Sequence, residues 1–173
     1  MKQHELHPVR IVLTHAHADH IAGIDEVRES LGEVPVHLAT EEWAALSDPM
    51  ENLSGLMGAG FGTKVTDPID LPSGGSIELD GTSWQVLDTS GHSPGGRTLY
   101  CSTLGLAFVG DALFAGSVGS VDFPHSDGAQ LMRNIHEKLM TLPDDTRALS
   151  GHGPETTIGH ERATNPFVLH GLG

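Results

Sequence analysis

Apolar residues cluster in Val9-Arg10-Ile11-Val12-Leu13-Thr14, and the run stops at a histidine-rich stretch. That pattern predicts a buried strand feeding a loop. From Asp19 onward, Ile21, Ile24 and Val27 recur at helical spacing, so a helix is expected to open near Asp19. Val34-Pro35-Val36-His37-Leu38-Ala39 reads as the next strand. Thr40 is expected to cap a helix through Glu41, Glu42, Trp43, Ala44 and Leu46. Ser47 to Gly62 is rich in Gly and Met and follows neither period, consistent with a mobile flap or a short irregular helix.

Downstream the period shortens to two. Ser76–Leu79 and Trp84–Thr89 flank Asp80-Gly81, a hairpin signal. Arg97–Ser102 and Leu106–Val109 form a second strand pair around Leu104-Gly105. Leu131, Ile135 and Leu139 then lie at four-residue spacing, which predicts an amphipathic helix capped by Ser126 and ended by Pro143. Arg147–Ser150 is a last short strand before Gly151-His152-Gly153. Strand–helix units early, hairpins in the middle, then helix and strand predict α/β layers around a mixed sheet.

The length, 173 residues, suits one domain, 1–173, with a sizeable core. The chain has no apolar run long enough to span a bilayer, and Met1-Lys2-Gln3-His4-Glu5 lacks the apolar stretch expected of a signal peptide. Cys101 is the only cysteine, so no intrachain disulfide can form. A cytoplasmic location is expected, with Cys101 as a small buried hydrophobe. The net charge of −14 repels phosphate backbones, which argues against nucleic acid as a partner. Part of that charge would vanish if Asp19 and Asp111 held cations.

Twelve histidines in so short a chain change the picture. Thr14-His15-Ala16-His17-Ala18-Asp19-His20 sets four potential ligands on a loop just after a strand, with small alanines between them. Imidazole nitrogen and carboxylate oxygen suit zinc, iron or manganese. His92 in Ser90-Gly91-His92-Ser93-Pro94-Gly95-Gly96, Asp111 after Phe108-Val109-Gly110, and His152 in Ser150-Gly151-His152-Gly153-Pro154 each put a ligand type at the carboxyl end of a strand. Open α/β sheets place their ligands there, and the flanking glycines permit close backbone approach. His4, His7, His37, His125, His136, His160 and His170 have no such context and are expected at the surface or in ordinary packing. His160 and Arg162 are held open as exceptions, because they follow His152 closely. Trp43, Trp84 and Phe123 are read as packing residues, with Phe123 alternatively flooring a cleft. Arg97 is read as a solvated strand residue and Asp122 as a turn cap.

The ordered set His-x-His-x-Asp-His, His, Asp and His, running from 15 to 152, resembles the metallo-β-lactamase superfamily. The resemblance implies an α/β (α+β) fold, the αββα sandwich, with a two-metal cleft. It implies that His15, His17 and His92 bind one metal, that Asp19, His20 and His152 bind a second, and that Asp111 bridges them. The segments Asp111–Gly119, Asp122-Phe123-Pro124, Gly151–Arg162 and Asn165-Pro166-Phe167 are similar to the short bacterial glyoxalase II-like class, whose members hydrolyse S-acyl thioesters of glutathione. That class usually carries Gly-Arg and a small residue before Asp-Phe-Pro; here Gly119-Ser120-Val121 stands there, and a cation near the cleft is missing.

The expected activity is therefore metal-dependent hydrolysis of a small-molecule thioester, with metal-bound hydroxide as nucleophile and Asp19 and Asp111 as the catalytic carboxylates. The expected cofactor is two divalent ions, zinc foremost and iron or manganese as alternatives. A Gly-x-Ser-x-Gly nucleophile elbow is absent. Alternatives are a mononuclear-iron persulfide dioxygenase, a lactonase or β-lactamase, and an inactive metal-binding remnant. Because family members carry strands, a helix and an Asp-Pro-Gly turn ahead of the His-x-His loop, the chain is also expected to be N-terminally incomplete. Lys2 to Pro8 then reads as the tail of a helix, and a homo-oligomer could cover the open sheet.

Overall fold

The structure, a computed structural model, describes residues 6–58 and 60–172. The chain divides into two compact units, one ending at Leu71 and the other beginning at Pro72.

In the first unit, β1 (Ile11–Val12), β2 (Val36–Leu38) and β3 (Ile69–Asp70) form a parallel sheet in that order. The helix expected near Asp19 is split: α1 (Ala18–Ile21) ends at Ala22-Gly23, and α2 (Ile24–Leu31) begins afresh. Glycine costs helix stability, so a break there lets Ile21 and Ile24 both reach the core. That core gathers Leu13, Ala16, Ile21, Ile24, Val36, Leu38, Ala45, Leu46 and Val65. Residues Thr40–Leu46 form a 3-10 helix, and Thr40 does not cap it: the N-cap is Ala39, while the Thr40 hydroxyl bonds Glu41. Of the expected helix tail at Lys2–Pro8, Leu6–Pro8 form no helix, and the rest lies outside the described residues, as does His4.

The second unit holds a six-stranded sheet in the order β11 (Thr156–Thr157), β10 (Arg147–Ser150), β7 (Leu106–Gly110), β6 (Arg97–Cys101), β5 (Thr82–Asp88) and β4 (Ser76–Leu79). Asp80 and Gly81 turn the β4–β5 hairpin, both at positive φ, as a two-residue hairpin turn requires. The β7–β10 pair is parallel among antiparallel neighbours, so the sheet is mixed as the element order predicts. A small hairpin, β8 (Leu113–Phe114) with β9 (Ser117–Val118), follows β7.

One face of the sheet is covered by α3 (Gly128–Asn134), which widens into a π-helical turn over Ile135–Leu139, and by α4 (Ile158–Thr164) and α5 (Pro166–His170). Leu131, Ile135 and Leu139 are fully buried, as their spacing predicts. Asp127, not Ser126, caps α3 by accepting from the Gln130 N–H; the Ser126 hydroxyl instead donates to the His92 carbonyl. Arg162 donates to the carbonyls of Met140 and Leu142 and pairs with Asp144. It thereby satisfies the unpaired carbonyls at the end of the α3 segment, a structural duty. Cys101 is buried in β6. Arg97 departs from expectation: it is buried, 3.6 Å from Asp88 across the β5–β6 pair. Burying a guanidinium is tolerable where a carboxylate pairs its charge and a carbonyl accepts from it, and Gly96 supplies the carbonyl. Trp84 is buried and packs on Phe108, whereas Trp43 is half out of the core and donates to the Leu38 carbonyl.

Candidate metal centre

Each unit brings together its own share of the candidate ligands. In the first unit the loop after β1 and the single turn of α1 carry His15, His17, Asp19 and His20. Donor atoms of His15 and His17, of His15 and His20, and of Asp19 and His20 lie within 4.8 Å of each other. The rings pack closely, His15–His17 at 4.7 Å and His15–His20 at 4.0 Å between centroids. His15 and His17 are buried, while the Asp19 side chain is 55% exposed.

Two main-chain anchors shape this loop. The Ala16 N–H donates to the carboxylate of Glu42 at 3.1 Å, and the Ala18 N–H donates to the Asn52 carbonyl at 2.8 Å. Both partners are buried. Asn52 is itself fixed by donation to the Ala45 and Phe61 carbonyls and by accepting from the Ser54 N–H. The Gly/Met-rich stretch therefore folds as a series of tight turns that brace the ligand loop from Asn52. Glu42 and Asn52 look like ordinary members of a short helix and a loop, and no local pattern marks them.

In the second unit the sheet topology does the gathering. β5 is antiparallel to β6, β6 to β7, and β7 is parallel to β10, so β5, β7 and β10 all run the same way. Their carboxyl ends meet at one edge, from which His92, Asp111 and His152 emerge. Asp111 lies between the two histidines: its Oδ2 is 3.7 Å from His92 Nε2 and 3.4 Å from His152 Nε2. His92 and Asp111 are buried, and the His152 side chain is 54% exposed. Nδ1 of His92 lies 2.8 Å from the Ser120 carbonyl oxygen. With Nδ1–H donating there, Nε2 is the nitrogen left for a metal. Gly119 is required beside it, since a Cβ would sit 2.0 Å from the Asp111 carbonyl oxygen and 2.8 Å from His92 Nδ1.

Two aromatic rings stand edge-on to these histidines, Phe123 to His92 at 6.0 Å and Phe114 to His152 at 6.1 Å. Phe123 is 38% exposed, so it is not a core-packing residue. Asp122 exchanges hydrogen bonds with Ser120 within its turn, as expected of a capping carboxylate. His7, His125, His136, His160 and His170 are exposed, and His37 is half-buried in β2.

A divalent cation fits these residues. Each share is made of imidazole nitrogens and carboxylate oxygens, the donors that zinc, iron and manganese accept. A buried Asp between two imidazoles, and a cluster of three imidazoles with one carboxylate, are arrangements that water does not compensate well and a cation does.

These features describe an α/β protein with candidate His/Asp metal ligands after its strands. The chain belongs to the metallo-beta-lactamase superfamily, whose family model matches residues 2–152. Among curated relatives, it is 41% identical over 171 residues to the probable metallo-hydrolase YqgX of Bacillus subtilis, covering 97% of this chain and 79% of that protein. It is 32% identical over 159 residues to the hydroxyacylglutathione hydrolase GloC of Haemophilus influenzae, covering 91% and 74%. Among solved structures it superposes on the BLEG-1 B3 metallo-beta-lactamase with a TM-score of 0.91 at 40% identity, covering 96% of this chain and 80% of the other. The di-iron-bound form of TTHA1623 gives 0.84 at 36%, again covering 96% and 80%. The mixed α/β fold expected from the sequence is thus the fold of these neighbours. The metal's identity is open, since one of them is a di-iron form. No described helix is long and apolar enough to cross a membrane.

Proposed function

We propose that this protein is a metal-dependent hydrolase of S-acyl thioesters of a small thiol, of which S-lactoylglutathione is the model substrate. The observation that carries the reading is the similarity to a hydroxyacylglutathione hydrolase over 91% of the chain, together with the Asp111–Phe167 motifs. In this reading His15, His17 and His92 hold one metal ion, Asp19, His20 and His152 hold another, and Asp111 serves both. Bound metal ions would lower the pKa of water from about 15.7 to roughly 7 and polarise a carbonyl.

The chain's own residues would do the rest. The exposed Asp19 carboxylate accepts a hydrogen bond from the attacking water and orients it. Asp111, buried and flanked by His92 and His152, would serve as a ligand shielded from solvent. The Ser120 carbonyl holds the His92 tautomer. Phe114 and Phe123 give the substrate's acyl and thiol portions apolar walls and help exclude bulk water. With Ser120 in place of an arginine, the substrate carboxylates lose a cation, so a raised KM for S-lactoylglutathione is expected.

β-Lactam hydrolysis is the second reading, favoured by the relation to BLEG-1. The same hydroxide chemistry would then act on a strained amide. The deciding experiment compares turnover of S-lactoylglutathione and of a cephalosporin by the metal-loaded protein, with and without chelator. Chelator-sensitive thioester turnover well above cephalosporin turnover supports the proposal; its absence overturns it.

A further inference from the structure

Glu161 is completely buried, yet it belongs to none of the ligand motifs. Isolating a carboxylate from water is costly unless hydrogen bonds replace its hydration. Here three neutral donors do so. The Thr156 hydroxyl donates to Oε1 at 2.6 Å; the Gly116 N–H at 2.9 Å and the Asn165 side-chain amide at 2.8 Å donate to Oε2. The same Asn165 amide also donates to the Ser117 carbonyl at 3.0 Å, and its oxygen caps α5 by accepting from Phe167 and Val168. Asn165 is equally buried.

These bonds converge on the Gly116-Ser117 turn of the β8–β9 hairpin. Gly116, at φ 72°, presents its N–H to the carboxylate in a conformation other residues adopt only with strain. The hairpin connects Asp111 to the Ser120 carbonyl that faces His92. It begins two residues after Asp111, carries Phe114 against His152, and ends just before Gly119 and the Ser120 carbonyl that orients His92. Thr156, on the other oxygen, starts the strand that follows the His152 loop. One buried carboxylate therefore ties the chain that follows Asp111 to the chain that follows His152.

We propose that Glu161, working with Asn165, is a positioning residue for the metal centre, clamping the β8–β9 hairpin so that the Ser120 carbonyl and Phe114 fix the orientations of His92 and His152. The inference rests on the reading of His92, Asp111 and His152 as metal ligands. Outer partners of metal ligands typically alter affinity by about 10–100-fold. Glu161→Ala removes every acceptor of the clamp. Glu161→Gln retains it: the amide oxygen can face Gly116 and Asn165 while the amide nitrogen donates to Thr156, whose hydroxyl then accepts.

The test has two readouts. Metal affinity is measured by competition with a chromophoric chelator for wild type, Glu161→Ala, Glu161→Gln and Leu139→Ala, the last a core change that destabilises the unit away from the clamp. Nitrogen NMR of the histidines in the metal-free proteins reports the His92 tautomer without reference to metal. Expected are about 10–100-fold weaker metal binding and a mixed His92 tautomer in Glu161→Ala, with near wild-type values in both Glu161→Gln and Leu139→Ala. Equal losses in Glu161→Ala and Leu139→Ala at matched stability, or an unchanged His92 spectrum in Glu161→Ala, overturn the clamp. A wild-type protein that binds no metal overturns the ligand reading instead, and the NMR arm still decides whether the clamp orients His92.

Discussion

The Ser120 carbonyl oxygen lies 2.8 Å from Nδ1 of His92, so the residue that replaces the family's arginine still orients a metal-ligand candidate, through its main chain. Its side chain takes no part in that bond and exchanges hydrogen bonds with Asp122 instead. Ser120→Arg should therefore leave metal stoichiometry unchanged and lower KM for S-lactoylglutathione, by restoring a cation for the substrate carboxylates. Steady-state kinetics with parallel metal analysis check this; a loss of bound metal would refute it.

Gly119→Ala should do the opposite. An added Cβ meets the Asp111 carbonyl oxygen at 2.0 Å and His92 Nδ1 at 2.8 Å, both parts of the site that cannot move cheaply. Metal affinity and kcat should fall together, with a stability loss of about 1–3 kcal/mol from overpacking. Chemical denaturation and chelator competition measure both.

Glu42→Ala should destabilise the first unit by about 1–3 kcal/mol, because the Ala16 N–H between His15 and His17 loses its buried acceptor. Glu42→Gln, which keeps an oxygen there, should recover most of it. Denaturant midpoints of the metal-free proteins read the difference without involving the metal.

Burial, assisted by the charge of Arg10, holds His37 below its ordinary value of 6.5. Its folded pKa is thus lower than its unfolded one. Above pH 6.5 the ring is neutral in both states and its contribution is complete; as pH falls below that, the unfolded chain takes up the proton first and stability declines towards the folded value. His37→Gln should flatten that part of the stability–pH curve, and an unchanged slope would show that other groups set it.

The candidate ligands stand out in the sequence because their pattern is local. His15 to His20 sit within six positions, and His92, Asp111 and His152 each follow a recognisable strand beside glycine. The main strands, the β4–β5 hairpin and the buried stripe Leu131, Ile135 and Leu139 were legible through period and turn chemistry for the same reason. What was not legible depends on partners distant in sequence. Glu42 and Asn52 look like surface polar residues until Ala16 and Ala18 supply their hydrogen bonds, and Glu161 and Asn165, though inside family-like segments, show no role in the sequence until Gly116 and Ser117 supply theirs. Arg97 looks solvated until Asp88 faces it across the sheet. Ser126 resembles a helix cap, yet its hydroxyl goes to the His92 carbonyl, and the neighbouring Asp127 takes the cap. Two-residue strands such as β3, β8, β9 and β11 are too short for any periodicity to announce them.

The proposed hydrolase reading calls for two metal ions per chain, and metal content of the reconstituted protein checks this. Elemental analysis should approach two equivalents per chain in the wild type, and Asp111→Ala should lower that number if Asp111 serves both ions as proposed. A firm single equivalent in the wild type, unaltered by Asp19→Ala or His152→Ala, would contradict the account.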